Sequence, residues 1–388
     1  MYKILTLNNI SVAGLERFSR DNYEVASEIQ HPDAVILRSY KMHDWSIPES
    51  LEAVGRAGAG VNNIPVDEMS KRGIPVFNAP GANANAVKEL TLAGLFLAAR
   101  NICQAWGYTE ALQGNDEELN KQVEAGKKKY AGFELPHRTL GVVGLGAIGV
   151  KVANTAIALG MDVIGYDPQL TVQSAWQLSS DVKRAASVDD LFAHVDFVTF
   201  HVPLLAATRG ILNATRLQSM RDGVTILNFA RGGIVDDEAV LAGIESGKVH
   251  AYVTDFPSNL LKNNPKVIAL PHLGASTVEA EDNCAMMVVD QVRDYLENGN
   301  IHNSVNFPES YMPHSDKYTR LTVANSNVPN MVGQISTDIA KASLNIVDML
   351  NKSRGDLAYT IVDVEGKIPQ SVTDEIRAIE GVLHVRVI

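Results

Sequence analysis

The sequence predicts an α/β protein made of two doubly wound parallel-sheet units and closed by a small α+β module. Three observations predict it. Short apolar runs alternate with helix-patterned stretches from the N-terminus to about residue 296, the rhythm of strands buried under helices on both faces. A glycine-rich turn, GLGAIG at 144–149, links an apolar strand to a helix in mid-chain, so another α/β unit precedes it. The tail beyond residue 318 reads strand, helix, strand, strand, helix, strand.

A chain of 388 residues is long enough for two or three domains, each with its own core. A net charge of −11 argues against nonspecific nucleic-acid or anionic-membrane binding. An anionic small substrate therefore needs a local basic cluster. Two cysteines, Cys103 and Cys284, make no disulfide framework and read as buried free thiols. No segment reaches the length of a membrane span, and the N-terminal MYKILTLNNI reads as a strand with no cleavage-type motif. A cytoplasmic protein without a metal is expected.

In the first unit, strands are expected at residues 3–7, 34–38, 53–57 and 76–78. Residues 66–72 read as a helix, stopped by Gly73. Residues 85–105 carry an almost unbroken apolar pattern and predict one long helix crossing to the second unit. The polar, lysine-rich stretch 115–129 is a solvated excursion with no assigned role.

The second unit opens with the strand 140–143 and the glycine turn. Gly144 permits a tight turn, Gly146 lets a pyrophosphate approach the backbone, and Gly149 lets the helix pack on the strand. Ala147 and Ile148 begin that helix, whose free N–H groups and positive end suit phosphate. A second strand ends at Asp167, placed to accept bonds from a ribose 2′-hydroxyl. Strand, glycines, helix, strand and acid in this order predict a Rossmann-like dinucleotide site that takes NAD rather than NADP.

Further strands at 195–200, 224–228, 251–255 and 267–270 end at His201, Arg231, Asp255 and His272. Ligands of open parallel sheets sit beyond the carboxyl ends of strands, so these ends predict a single site. Arg231, followed by two glycines, can hold a carboxylate bidentately, or else cap a strand end by a salt bridge. His272 can exchange a proton with a hydroxyl near neutral pH. His201 lines the cofactor or is structural. In the first unit Arg38, Lys41 and Arg56 lie at strand ends near Gly58 and Gly60, where a phosphate could be held.

Residues 276–296 form a helix that returns to the first unit, and 303–318 a linker. The expected domains are therefore 1–83 with 276–310, 84–275, and a ferredoxin-like module at 318–388.

The segments NAPGANANAVKEL, GVVGLGAIG with YDP, HVPL, NFARGGIVD and PHLGAST together resemble the D-isomer-specific 2-hydroxyacid dehydrogenases. The tail is similar to an ACT regulatory domain, which narrows the resemblance to members that oxidise 3-phosphoglycerate to 3-phosphohydroxypyruvate with NAD, the first step of L-serine synthesis. The resemblance implies Arg231 as the carboxylate-binding catalytic residue and His272 as the acid/base. It implies Arg38, Ser39, Arg56, Gly60 and Asn83 along the substrate, and Asp167, Val202, Pro203, Ala230, Asp255 and Gly274 along the cofactor. Asn327 and Asn345 match positions that hold serine at a domain interface, and homo-oligomers, dimers or tetramers, are implied.

One segment departs from the family. Where it has DVFxxEP, with a glutamate that bonds the catalytic histidine, this chain reads TDFPSN, so Asn259 stands in the glutamate's place. Asparagine cannot favour the imidazolium as a carboxylate does, so Asn259→Glu is expected to move the acid limb of kcat/KM to higher pH. Two alternatives stay open: another 2-hydroxyacid dehydrogenase or glyoxylate reductase, or a non-catalytic NAD-binding regulatory protein.

Overall fold

The computed structural model describes residues 1–388. The chain separates into two compact units, Met1–Asn83 with Val278–Ile388, and Ala84–Thr277.

The first unit begins with a five-stranded sheet of β1 (Tyr2–Leu7), β2 (Tyr23–Ala26), β3 (Ala34–Leu37), β4 (Ala53–Arg56) and β5 (Val76–Phe77). Its order is β2-β1-β3-β4-β5 and every pairing is parallel. The central β3 is wholly buried, as its AVIL sequence requires. Strand β2 had no clear sequence signal. It is an edge strand that buries Tyr23 and leaves the rest partly exposed, so its pattern is weak. The helix Val278–Asn298 lies across this sheet, with Cys284, Ala285, Val288, Val292 and Leu296 in a core shared with Ile4, Ile36 and Phe77. Gly55 permits that approach, because a Cβ there would stand 2.8 Å from side-chain atoms of both Ile36 and Val288.

The second unit starts with the helix Ala84–Ala99, shorter than its apolar pattern predicts. The carbonyl of Ala99 accepts the N–H of Phe133, and Asn101 turns to a left-handed φ of 51° before the next helix, Ile102–Glu110. Asparagine tolerates that region better than most residues. The stretch after it is partly helical too: Asp116–Gly126 is started by a capping box between Asn115 and Glu118.

Seven strands follow: β6 (Thr139–Val143), β7 (Asp162–Tyr166), β8 (Lys183–Arg184), β9 (Phe197–Phe200), β10 (Val224–Asn228), β11 (Val249–Thr254) and β12 (Val267–Ala269). They order as β12-β11-β10-β9-β6-β7-β8, all parallel. The order reverses between β6 and β9, the point at which doubly wound sheets open a crevice. Both parallel sheets are of the predicted class.

The tail adds β13 (Thr319–Ser326), β14 (Ile346–Arg354), β15 (Leu357–Val364) and β16 (Val382–Val387) to the first unit. They form an antiparallel sheet ordered β14-β15-β13-β16. Two helices, Met331–Lys341 and Gln370–Arg377, complete the predicted ferredoxin-like pattern. Leu321, Val323, Ile335, Ile339, Val362 and Ile376 build the core on the helical side. On the other face Ala324, Tyr359 and Ile361 join the core around Tyr295, Leu296, Ile301 and Phe307. The sheet is thus buried on both sides, and Arg386 and Arg320 fix the junction. Arg386 donates to the carbonyls of Tyr295 and Leu296 and pairs with Glu52 at 2.7 Å. No helix is long and apolar enough to cross a membrane.

Candidate active site

All strands of the second sheet run the same way, so their carboxyl ends share one edge. Gly144 follows β6, Asp167 follows β7, His201 follows β9, Arg231 lies three residues past β10, and Asp255 and His272 come after β11 and β12. The first-unit residues and the tail asparagines belong to the other unit.

The glycine turn has the geometry its sequence implied. Gly144 has φ +92°, and a Cβ there would stand 2.6 Å from the His201 carbonyl oxygen and 2.7 Å from Val202. Gly149 packs the helix onto the turn, since its Cβ would overlap the Gly144 carbonyl oxygen at 1.9 Å. A Cβ on Gly146 would meet nothing within 4 Å. The backbone is therefore open where a pyrophosphate must come close, and the helix Ala147–Ala158 starts without a side-chain cap. Uncapped N–H groups at such a helix start suit an anion, so these residues fit a dinucleotide. Asp167 accepts the N–H of Leu145 at Oδ2 and of Gln169 at Oδ1, both at 2.8 Å. Each oxygen keeps a lone pair for a ribose hydroxyl, and the carboxylate also ties the turn to the next strand.

His201 is half-buried. Its Nε2 lies 3.1 Å from Thr199 Oγ1, its Nδ1 is buried without a partner, and burial pushes its pKa down to about 3. It is a neutral ring at working pH. Val202 and Pro203 follow it on the turn side.

Arg231 is exposed, and its guanidinium makes one hydrogen bond, from Nη1 to the Ala230 carbonyl at 2.7 Å. Asn228, a buried residue that sequence reasoning passed over, fixes the loop. Its Nδ2 donates to the Arg231 carbonyl, and its Oδ1 accepts the N–H of Ala230. The only signal for it was an asparagine closing an apolar strand just before Arg231. Thr254 holds the next strand end similarly, donating to the Asn228 carbonyl and accepting the N–H of Phe256.

His272 is exposed and rests on the Phe256 ring, with centroids 4.9 Å apart. Its expected neighbour is elsewhere: Asn259 is exposed and makes no hydrogen bond, to His272 or to anything else. The buried carboxylate at this end is Asp255, which accepts the N–H of Gly274 at 3.1 Å. Burial raises the Asp255 pKa, opposed by that N–H and by the charge of His272.

In the first unit, Arg38 and Arg56 stand together, since Arg56 Nε donates to the Arg38 carbonyl at 3.1 Å. Both guanidiniums oppose the rise that burial gives the Cys284 thiol. Arg38 Nη1 pairs with Glu281 at 2.6 Å, a carboxylate the sequence did not flag. Ser39 and Lys41 are exposed, and Gly60 and Asn83 half-buried.

In the tail, Asn325, Asn327, Asn330, Met331 and Asn351 line a cavity of about 140 Å³ at the start of the helix Met331–Lys341. Asn325 is buried, with Oδ1 unpartnered. Asn345 is not there. It bonds Glu365 at the opposite end of the sheet, because Ser326 and Thr319 pair with the two ends of β15.

Residues 96–274 match the family model described as D-isomer specific 2-hydroxyacid dehydrogenase, NAD binding domain. The chain is 34% identical over 353 residues to the D-3-phosphoglycerate dehydrogenase of Methanocaldococcus jannaschii, covering 88% of this chain and 63% of that one. It is 31% identical over 352 residues to the D-3-phosphoglycerate dehydrogenase of Haemophilus influenzae, covering 87% and 81%. Over 81% of this chain and 99% of that one, the fold is similar to that of Rhodotorula graminis D-mandelate dehydrogenase, with TM-score 0.67 and 22% identity.

Proposed function

The chain belongs to the D-isomer-specific 2-hydroxyacid dehydrogenase family, and from that premise we propose that it oxidises 3-phosphoglycerate to 3-phosphohydroxypyruvate with NAD, opening L-serine synthesis. The observation that carries the reading is the set of strand ends. A guanidinium with a single hydrogen bond, Arg231, and an accessible imidazole, His272, share one sheet edge with an open glycine turn.

NAD, when bound, would supply the hydride acceptor for oxidation at C2 of the substrate. Arg231 grips the substrate carboxylate and stabilises charge developing on the C2 oxygen. His272 takes the hydroxyl proton on a ring nitrogen. Gly144, Gly146 and Gly149, with Ala147 and Ile148, hold the pyrophosphate, and Asp167 takes the ribose. Val202, Pro203, Ala230, Asp255 and Gly274 flank the remainder of the cofactor. Arg38 and Arg56, with Ser39, Gly60 and Asn83, take the phosphate end of the substrate.

The Arg38–Glu281 pair favours a second reading, an unphosphorylated hydroxy acid, because a phosphate must displace Glu281 from Arg38. NADH formation from 3-phosphoglycerate, glycerate and lactate separates the two. Preference for 3-phosphoglycerate, lost in Arg56→Ala, supports the first; equal use of glycerate replaces it with the second. No turnover of any of them returns the chain to a regulatory role.

We further propose that residues 318–388 form a regulatory ACT domain that takes L-serine in the asparagine-lined cavity, with Asn345 supplied by another copy in a homo-oligomer. Calorimetry on the full chain is expected to show serine binding that Asn327→Ala weakens; no heat with serine removes the idea. Two unpaired cysteines fit a reducing, cytoplasmic setting.

A further inference from the structure

We propose that Asp255 is the carboxylate that positions His272 and supports its charge when it takes the substrate's proton, the place Asn259 leaves open. The proposal rests on the dehydrogenase reading above. Asp255 follows β11 with its side chain 1% exposed. Its Oδ2 accepts the N–H of Gly274, two residues past His272, which ties the carboxylate to the loop carrying the imidazole. Its Oδ1 is equally buried and has no hydrogen bond of good geometry, although the N–H groups of Leu273 and of Asp255 itself also favour the charged carboxylate. Native proteins rarely leave such an atom bare, and at a strand end that also carries the candidate acid/base it is placed to work.

His272 makes no hydrogen bond of its own and packs on Phe256, the residue next to Asp255. A buried acceptor and a ring with unused nitrogens thus share one strand-end cluster, close enough for the charge of His272 to act on Asp255. When the substrate O–H bond breaks, the proton passes to a ring nitrogen of His272, the C2–O bond becomes a carbonyl, and the C2–H bond breaks with its hydride going to the NAD that the proposed reaction uses. The imidazolium so formed meets the ionised Asp255, which itself neither gains nor loses a proton.

His272 is the ionisable group whose positive charge lowers the Asp255 pKa, against the rise that burial causes. On the strand it follows, Asp255 acts on the Tyr252 phenol, pushed up to about 12 chiefly by burial, and Asp237 acts on the same phenol. From the helix Ala84–Ala99 the neighbour of this loop is the apolar Val87, 3.4 Å from where a Gly274 Cβ would sit.

The test is an NMR titration of the His272 ring in the full chain without cofactor, its signal identified by loss in His272→Gln. In Asp255→Asn that titration is expected to move to lower pH by about one unit, and the acid limb of kcat/KM to move with it. Asp255→Glu is expected to restore most of the shift. Asn259→Glu, a surface change that leaves the fold intact, is expected to leave titration and limb where they are. A His272 titration unmoved in Asp255→Asn overturns the proposal. So does a shift to higher pH in Asn259→Glu, which returns the role to position 259. A variant whose only change is a higher KM for NAD makes Asp255 a cofactor ligand alone and overturns it too. The titration needs no turnover, so an enzyme inert toward 3-phosphoglycerate counts against the functional reading while the NMR still decides this one.

Discussion

Arg320 and Arg231 are both arginines close to a strand end, and the chain treats them in opposite ways. Arg320 is fully buried, and each of the five N–H groups of its guanidinium has an acceptor. Two go to Asp363, at 2.7 Å each, and three to the carbonyls of Asn298, Met312 and Pro313. Arg231 is exposed and uses one, on its neighbour's carbonyl. The carboxylates repeat the contrast. Asp363 has both oxygens bonded, whereas Asp255, equally out of reach of water, has one oxygen bare. In the Arg320–Asp363 pair the chain closes both charges on itself, and at the ends of the nucleotide-binding strands it leaves donors and acceptors unfilled. Saturated charges hold a fold together, and unsaturated ones are kept for something the chain does not itself contain.

Breaking the saturated set should give the largest effect. Arg320→Ala leaves Asp363 buried and unpaired, so a loss of about 3–5 kcal/mol is expected in denaturant unfolding. Turnover per folded molecule should be unchanged. A loss below about 1 kcal/mol would mean that water fills the gap and that burial here carries little energy.

Arg231→Ala should do the reverse, lowering kcat/KM by about 10²–10³-fold with no change in the unfolding midpoint. Arg231→Lys should recover little, because an ammonium cannot bond a carboxylate bidentately. A destabilised Arg231→Ala protein would place this arginine with Arg320.

Asp167 stands between the two kinds, with one structural N–H on each oxygen and lone pairs to spare. Its alanine variant is expected to reduce the preference for NAD over NADP, measured as a ratio of kcat/KM, by about two orders of magnitude. That figure corresponds to a like-charge penalty of several kcal/mol at the 2′-phosphate. NAD binding should also weaken, as the turn loses its tie to β7. An unchanged ratio would make Asp167 purely structural.

The smallest effect concerns His384 in β16, where burial first, then Arg386 and Arg377, push its pKa down to about 4. Unfolded, it titrates near the usual 6.5, so between those values the unfolded chain holds more protons and stability rises with pH. Its contribution is complete above about pH 6.5 and fades as pH falls toward 4. His201, held near 3 by burial, adds in the same sense. His384 alone is expected to account for a loss of about 1–2 kcal/mol between about pH 6.5 and 5, which His384→Gln should remove. Identical slopes in the two proteins would show that His384 is wetter than its packing implies.

The contrast between saturated and unsaturated charge was only half legible in the residues. Arg231 and His272 could be read because each ends an apolar run beside glycine or proline, where a polar residue has few structural reasons to be. Arg320 and Asp363 could not, since their partners include backbone carbonyls some distance away in sequence. Asn259 misled because a family pattern supplied its neighbour. The structure leaves it in solvent and buries Asp255 instead, a choice made by the end of β11 rather than by spacing. The break at Asn101 was hidden for a similar reason: its cause is Phe133, more than thirty residues on, which takes the carbonyl of Ala99.

By itself the sequence determined the two parallel sheets, the glycine turn with its acid at Asp167, and the β-α-β-β-α-β tail. Each is a local property: buried parallel strands need continuous apolar runs, and a positive φ or an overlapping Cβ demands glycine whatever lies around it. Only the tertiary structure decided the edge strand β2, the seating of the C-terminal sheet on the helix Val278–Asn298, the pairing of Arg38 with Glu281, and the burial of Asp255. Those depend on which distant backbone and side-chain atoms reach within about 3 Å of one another, and that is settled when whole elements pack.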